Sequence, residues 1–415
     1  MRLPLQATAT LGRDWLSHAH QSHNFGDFLF KIESLSSELP TFAILIRATD
    51  NMPNCSSYEY SNFHAFTRSY DIVHIPLSLT ICVCGVLANA INVVVLNQPG
   101  MQSSTNLLVA ALSIGEGTVM AIYIFYVTMY RIDRKLELGM SKPYAYTLFT
   151  LVYAQNLFHA FASWMIVFLT AFRLAFMRAG VSALHTCSYN RAKIGILTNV
   201  VISLILSAPF LFAHHVVKDS THSVNGTVTF KLDFVSSYSL TTLLLVTTGV
   251  FMKVLPIVLS TIFTALLIRT LLKSQKRRIR LQNEKRDTEQ RFIAIQTEQS
   301  NNDNNTKNFK RPSTRRSNDH DSNSRNIYQT TNIMIALTVL YIITYLPQAI
   351  MLLLLIIYGT CFEVMVYEKL GDFMDLLTLL CYSGNFLLYC ALSSKFRETC
   401  LHLIHSLLLP RKCRL

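Results

Sequence analysis

Charge is scarce in this chain: only 15% of its 415 residues are Asp, Glu, Lys or Arg, where soluble domains average about a quarter. Hydrophobic residues make up 51%, more than one soluble domain of this length needs for its core. Catalytic signatures are missing too. None of the nine cysteines forms a Cys-x-x-Cys pair, and Cys82 and Cys84 lie inside an apolar run. There is no His-Glu-x-x-His and no Walker lysine. The Gly-Glu-Gly of Gly115 to Gly117 lacks a third glycine and a preceding strand. These absences argue against an enzyme, and neither a cofactor nor a metal is expected. Residues 1 to about 70 carry one short apolar patch, "FAILI", and no signal peptide with a proper apolar region is evident. No internal repeat is found, which counts against a transporter.

What is present is a set of long apolar runs. About 20 helical residues cross a bilayer core, and seven stretches qualify: Val73 to Asn97, Asn106 to Thr128, Tyr146 to Phe176, Ile194 to Val217, Leu240 to Leu272, Thr330 to Ile357 and Leu370 to Leu392. They lack the alternation of barrel strands, and a backbone in lipid must satisfy its own hydrogen bonds, so each is expected to be a helix. The expected fold is an all-α membrane protein, a seven-transmembrane helix bundle with a short amphipathic inner-leaflet helix.

Lys and Arg set the orientation. "KSQKRRIRLQNEKR" and "KRPSTRR" fall between the fifth and sixth runs, and Lys395, Arg397, Arg411, Lys412 and Arg414 follow the seventh. By the positive-inside rule these lie in the cytoplasm, and seven spans then put the N-terminus outside. The formal net charge of +13 is chiefly this topology signal. Basic runs beside spans suit anionic lipid, and no nucleic-acid partner is expected. The expected organisation is an extracellular region 1–72, a seven-helix domain 73–392 whose third inner loop is 273–329, and a helix and tail over 393–415. Asn54 and Asn225 head glycosylation sequons on the expected outer side.

After Leu272 the sequence continues as a helix-forming basic rod. The Asn- and Ser-rich stretch "NNDNNTKNFKRPSTRRSNDHDSNSRN" has no apolar period and is expected to be a disordered tether. "SSKFRETCLHLIHSLLLP" places Phe396, Leu403, Ile404 and Leu407 on one helical side. Cys400 would sit at its membrane face, where palmitoylation is expected to compete with a plain buried thiol.

Ionisable groups inside spans are costly and raise functional questions. Here they are Glu116, His159, Arg173, Lys253, Asp372 and Asp375. At 100° per residue, Asp372, Asp375, Tyr382, Asn385 and Tyr389 share about half of the last helix's circumference, a polar stripe that should face the bundle interior. Asn89 and Asn92 from the first helix and Glu116 from the second can join Asn385 in a hydrogen-bonded network with two arrangements. Bland readings stand beside these: Glu116 as structural glue, Arg173 snorkelling, Lys253 pairing for packing, the aspartates complementing a helix dipole, and His159 as a hydrogen-bonded wall residue.

With these residues in order, the chain resembles the rhodopsin-class G-protein-coupled receptors, and within them the invertebrate myosuppressin and FMRFamide-type peptide receptors. "GVLANAINVVVL" carries Asn89, "NLLVAALSIGE" carries Glu116 where the family has aspartate, and "MKVLP", "YLPQAI", "LGDFMDLL" and "NFLLYC" followed by "SSKFRETC" match the narrower group. The resemblance implies that Arg173 and Tyr389 meet a heterotrimeric G protein, and that Pro256 and Pro347 bend helices five and six. It also implies that arrestin and receptor kinases are further partners, at the plasma membrane. There are departures. Phe172 replaces the acid before the arginine, so ligand-free signalling is expected. Tyr345 replaces the usual tryptophan and Phe386 the usual proline, and the tying disulfide is missing, leaving Cys55 and Cys361 as candidate partners.

The resemblance further implies a short amidated peptide ligand with a basic residue near its C-terminus. Asp375 would be its counter-ion, Asp372 would assist, and Gln155, His159, Lys253, Tyr345 and Gln348 would complete the pocket. Gln155 stands where amine receptors place an aspartate, which argues against a monoamine. A chemosensory seven-helix receptor for small environmental molecules is the alternative, and a transporter the more distant one.

Overall fold

The computed structural model describes residues 61–132, 140–219, 228–235, 238–300, 315–362 and 366–408. Seven of its helices are long and apolar enough to cross a membrane. We label them α1 Ser61–Leu96, α2 Ser104–Tyr126 with a π-helical continuation Val127–Ile132, α3 Lys142–Ala179 and α4 Tyr189–Ala213. Next, α5 is made of Tyr238–Leu245, a π-helical stretch Val246–Val254 and Leu255–Ser300. The series ends with α6 Arg315–Phe362, α7 Glu368–Leu392 and the tail helix α8 Ser394–Leu408. Among the described residues the strands are β1 His214–Asp219 and β2 Thr229–Phe234, an antiparallel hairpin after α4 with His214 opposite Phe234.

Local chemistry explains several boundaries. Ser103 caps α2 by accepting from the Asn106 backbone N–H at 3.1 Å, and Ser188 does the same for α4 through Arg191. Pro143 sits in the first turn of α3, where its missing N–H costs nothing. The π-helical stretch of α5 ends just before Pro256, and Trp164 of α3 donates its indole N–H to the carbonyl of Phe251 within that stretch at 3.1 Å. A π turn frees a backbone carbonyl, and a neighbouring side chain has taken this one.

Apolar side chains fill the bundle from Leu108 and Leu112 of α2 through Met165 of α3 to Tyr341 and Tyr345 of α6 and Tyr382 of α7. Leucines and isoleucines such as Leu197, Ile205, Ile343 and Leu387 stay exposed on the outer faces, where lipid is their solvent. Close contacts rely on missing side chains: a Cβ on Gly195 of α4 would overlap the Phe168 ring of α3.

The first helix begins at Ser61, and its membrane-crossing part, Ile72–Leu96, agrees with the expected first run. Three expectations need correction. The fourth span stops at Ala213 rather than Val217, because the β-branched pair Val216 and Val217 joins the hairpin. The tether is helical from Arg315 onward, since extending an existing helix by a residue is far easier than nucleating one. Cys400 does not sit at the membrane face: only 8% exposed, it packs into the core cluster, because α8 turns the side carrying Phe396 and Cys400 back against the bundle. Asn54, Asn225 and Cys55 lie outside the described residues.

Candidate functional site

Hydrophilic side chains collect along one axis of the bundle. At one end, between α1, α2 and α7, Arg131 Nη1 lies 3.6 Å from Asp372 Oδ1, with side chains 21% and 3% exposed. The π turn of α2 carries Arg131. Beside this pair the buried His74 of α1 lies 2.9 Å from the Tyr123 hydroxyl through Nε2 and 3.2 Å from that of Tyr70 through Nδ1. Asp375, one turn along α7 from Asp372, is half-buried.

The middle layer joins three helices. Tyr345 donates its hydroxyl proton to Tyr382 at 2.7 Å, and the Tyr382 hydroxyl lies 2.9 Å from His159 Nδ1. Accepting from Tyr345 leaves the Tyr382 proton for the imidazole nitrogen, which fixes the His159 tautomer. Gln348 of α6 donates to Thr378 Oγ1 at 2.6 Å and to the carbonyl of Met374 at 3.0 Å, clamping α6 to α7. Gln155 and Lys253 are half-buried, Gln155 one turn before His159 on α3 and Lys253 in the π-helical part of α5.

Deeper, Asn385 Nδ2 donates to Glu116 Oε2 at 2.5 Å, and Glu116 is wholly buried. Asn89 donates to the carbonyls of Tyr382 at 3.1 Å and Gly85 at 3.0 Å, and Asn92 reaches Ser113 at 3.5 Å. Among the described residues Asn89 Oδ1, Asn92 Oδ1 and Glu116 Oε1 make no hydrogen bond. A network with unused acceptors can re-pair when its helices move.

At the far end Arg173 is buried and donates twice to Thr331 Oγ1 of α6, from Nε at 3.0 Å and Nη2 at 2.6 Å, with Phe176 under its guanidinium at 4.9 Å. Two turns along α6, Thr338 lies 3.1 Å from Thr170. Tyr389 is buried with its ring 5.4 Å from that of Phe396 in α8. Gln329 ties α6 to the end of α7 by donating to the carbonyl of Leu392 at 2.6 Å. Pro256 is buried at the start of the last α-helical part of α5, and Pro347 stands inside α6.

A seven-helix bundle with a polar axis is one frame for receptors of many kinds. The model of the family described as serpentine type 7TM GPCR chemoreceptor Srw matches residues 76–299 and 305–406. The chain belongs to this family of seven-transmembrane G-protein-coupled receptors. Two Caenorhabditis elegans relatives agree. G-protein coupled receptor dmsr-1 is 24% identical over 394 residues, covering 86% of this chain and 72% of that protein. Sex peptide receptor-related protein 2 is 25% identical over 342 residues, covering 76% and 67%.

In this Srw-family chain the structure brings Asn385 to Glu116, His159 to Tyr345 by way of Tyr382, and Asn89 to the backbone of α7. It pairs Asp372 with Arg131, a partner the sequence reading did not name. Arg131 was overlooked because it follows Thr128, where the apolar run ends, and a cation there passes for an ordinary flank. His74, the second residue of the first apolar run, was overlooked although its ionisable ring inside a span was the signal to follow. Thr331, Thr338 and Thr378 gave no signal at all, since threonine is unremarkable in a span. Phe172 leaves Arg173 without an adjacent acid, yet the arginine is held, by Thr331.

Proposed function

We propose that this chain is a rhodopsin-class receptor of the plasma membrane, N-terminus outside, that binds a short amidated peptide with a basic residue and passes the signal to a heterotrimeric G protein. One observation carries the reading: buried polar clusters stand at successive levels of one bundle, Asp372 with Arg131, then His159 with Tyr382 and Tyr345, then Asn385 with Glu116, then Arg173 with Thr331. Asp375, half-buried one turn from Asp372, is the proposed counter-ion for the ligand's base, with Asp372 assisting and Gln155, His159, Lys253, Tyr345 and Gln348 proposed to complete the pocket. The name of one relative, sex peptide receptor-related protein 2, supports a peptide. The ligand favours an arrangement in which α6 swings about Pro347, releasing Thr331 from Arg173 so that Arg173 and Tyr389 meet the G protein, with arrestin and receptor kinases acting later at the same face. Asn54 and Asn225 would carry glycans.

The test is a panel of amidated peptides applied to cells expressing the chain with a promiscuous G protein. Activation by a peptide containing Arg or Lys, lost in Asp375→Asn at unchanged surface expression, is the expected outcome. A response that survives Asp375→Asn defeats the counter-ion assignment. The family's description as chemoreceptors favours a second reading, a small environmental ligand, and a parallel panel of such compounds separates the two.

A further inference from the structure

Beyond the last apolar turn, α5 runs on unbroken to Ser300. Arg269, Lys273, Lys276, Arg277 and Arg280 fall within about 100° of its circumference and over about 16 Å of rise. All five are exposed, and among the described residues none is ion-paired. No acidic residue occurs between Arg269 and Asn283. Leu272, 52% exposed, stands among them, about one turn after Arg269 and directly before Lys273.

We propose that this face binds the headgroup of a polyphosphorylated phosphoinositide of the inner leaflet. An exposed leucine set among five cations suits a phospholipid, whose acyl chain covers the leucine while its phosphates meet the cations, whereas a purely acidic protein surface would leave Leu272 in water. Its length selects the headgroup. An ordinary anionic lipid carries its charge at the interface, level with Arg269 and Lys273. Lys276, Arg277 and Arg280 lie about 6 to 12 Å further along the helix from Leu272, a depth that a phosphorylated inositol ring standing off the membrane reaches. Clusters of four to eight basic residues just inside a span attract such headgroups strongly, and unpaired cations on one helix face give up no internal salt bridge on binding.

The site rests on the cytoplasmic placement of this end of α5, and the two are tested separately. The full chain, purified in detergent, is titrated with a short-chain phosphatidylinositol bisphosphate, with short-chain phosphatidylserine and with soluble inositol trisphosphate. Lys276→Gln with Arg280→Gln is compared with Lys285→Gln with Arg286→Gln, which removes the same charge off the face. The bisphosphate lipid is expected to bind more tightly than phosphatidylserine, and the Lys276/Arg280 variant to weaken it at least about tenfold while the Lys285/Arg286 variant does not. Equal weakening by both variants, or equal affinity for phosphatidylserine, overturns the site. So does tighter binding of the soluble trisphosphate than of the lipid, or G-protein coupling reduced in the Lys276/Arg280 variant with lipid binding unchanged, which marks a protein-docking face. Protease accessibility of the α5–α6 loop on intact cells reports the orientation independently.

Discussion

Asp372 and Asp375 stand one turn apart on α7 and differ in burial, Asp375 being half-buried. Asp372 is buried beside Arg131, and removing one member of such a pair strands the other: about 3–5 kcal/mol when both are fully buried, about 1–3 kcal/mol here because Arg131 is partly exposed. Arg131→Gln and Asp372→Asn are each expected to lower the apparent melting midpoint of the purified chain, and the double variant to recover part of the loss. Additive losses would mean that the pair is not a unit. Glu116 makes a similar case with a different remedy. Asn385 needs an acceptor, which Gln supplies and Leu does not, so Glu116→Gln should retain surface expression and Glu116→Leu should lose about 1–3 kcal/mol for a buried unmet donor. Fluorescence size-exclusion of detergent extracts distinguishes the two variants. Residues of this kind were legible in the sequence because a charge or amide stands out in an apolar run. Thr331 and Thr378 were not, because their importance comes only from what α3 and α7 place opposite them.

The same division holds for elements. Seven helices followed from run length alone, while their ends did not: the hairpin after α4 replaces what hydropathy reads as four more helical residues, and α6 begins well before its apolar part. His214 sits at that junction. It ends α4, its ring stacks on Phe210 at 3.8 Å, and its Nδ1 lies 3.0 Å from the Phe210 carbonyl. Burial lowers its pKa from the usual 6.5 to about 4. The unfolded chain therefore takes up a proton below pH 6.5 that the folded chain refuses until about pH 4, so stability is full above 6.5 and declines as pH falls through that window. The apparent melting midpoint is expected to drop by a few degrees (~3 °C) between pH 7 and pH 5, and by less in His214→Gln. An equal drop in both would assign the pH dependence elsewhere.

Across the whole molecule, α6 is fastened at both ends of its span: near Asp375 by Gln348 on Thr378, and at the other end by Arg173 on Thr331, by Thr170 beside Thr338 and by Gln329 on the end of α7. A ligand can open one end only to the extent that it favours the arrangement in which the other is free. The strongest of these ties is the doubly donated bond from the buried guanidinium, since hydrogen bonds to charged groups contribute about 1.5–3 kcal/mol. It is also the tie that replaces the missing acid at Phe172. Cutting it should shift the resting population without any ligand: each 1.4 kcal/mol is about a factor of ten in the ratio of open to closed forms. Thr331→Val is therefore expected to raise ligand-free G-protein activation about tenfold, Thr331→Ser to leave it near the starting level because the hydroxyl is kept, and Thr338→Val to raise it less because no charge is involved. The measurement is nucleotide exchange on a purified G protein added to membranes matched for receptor amount. Val and Ser variants with the same activity would show that Thr331 holds α6 by packing and not by its bond to Arg173.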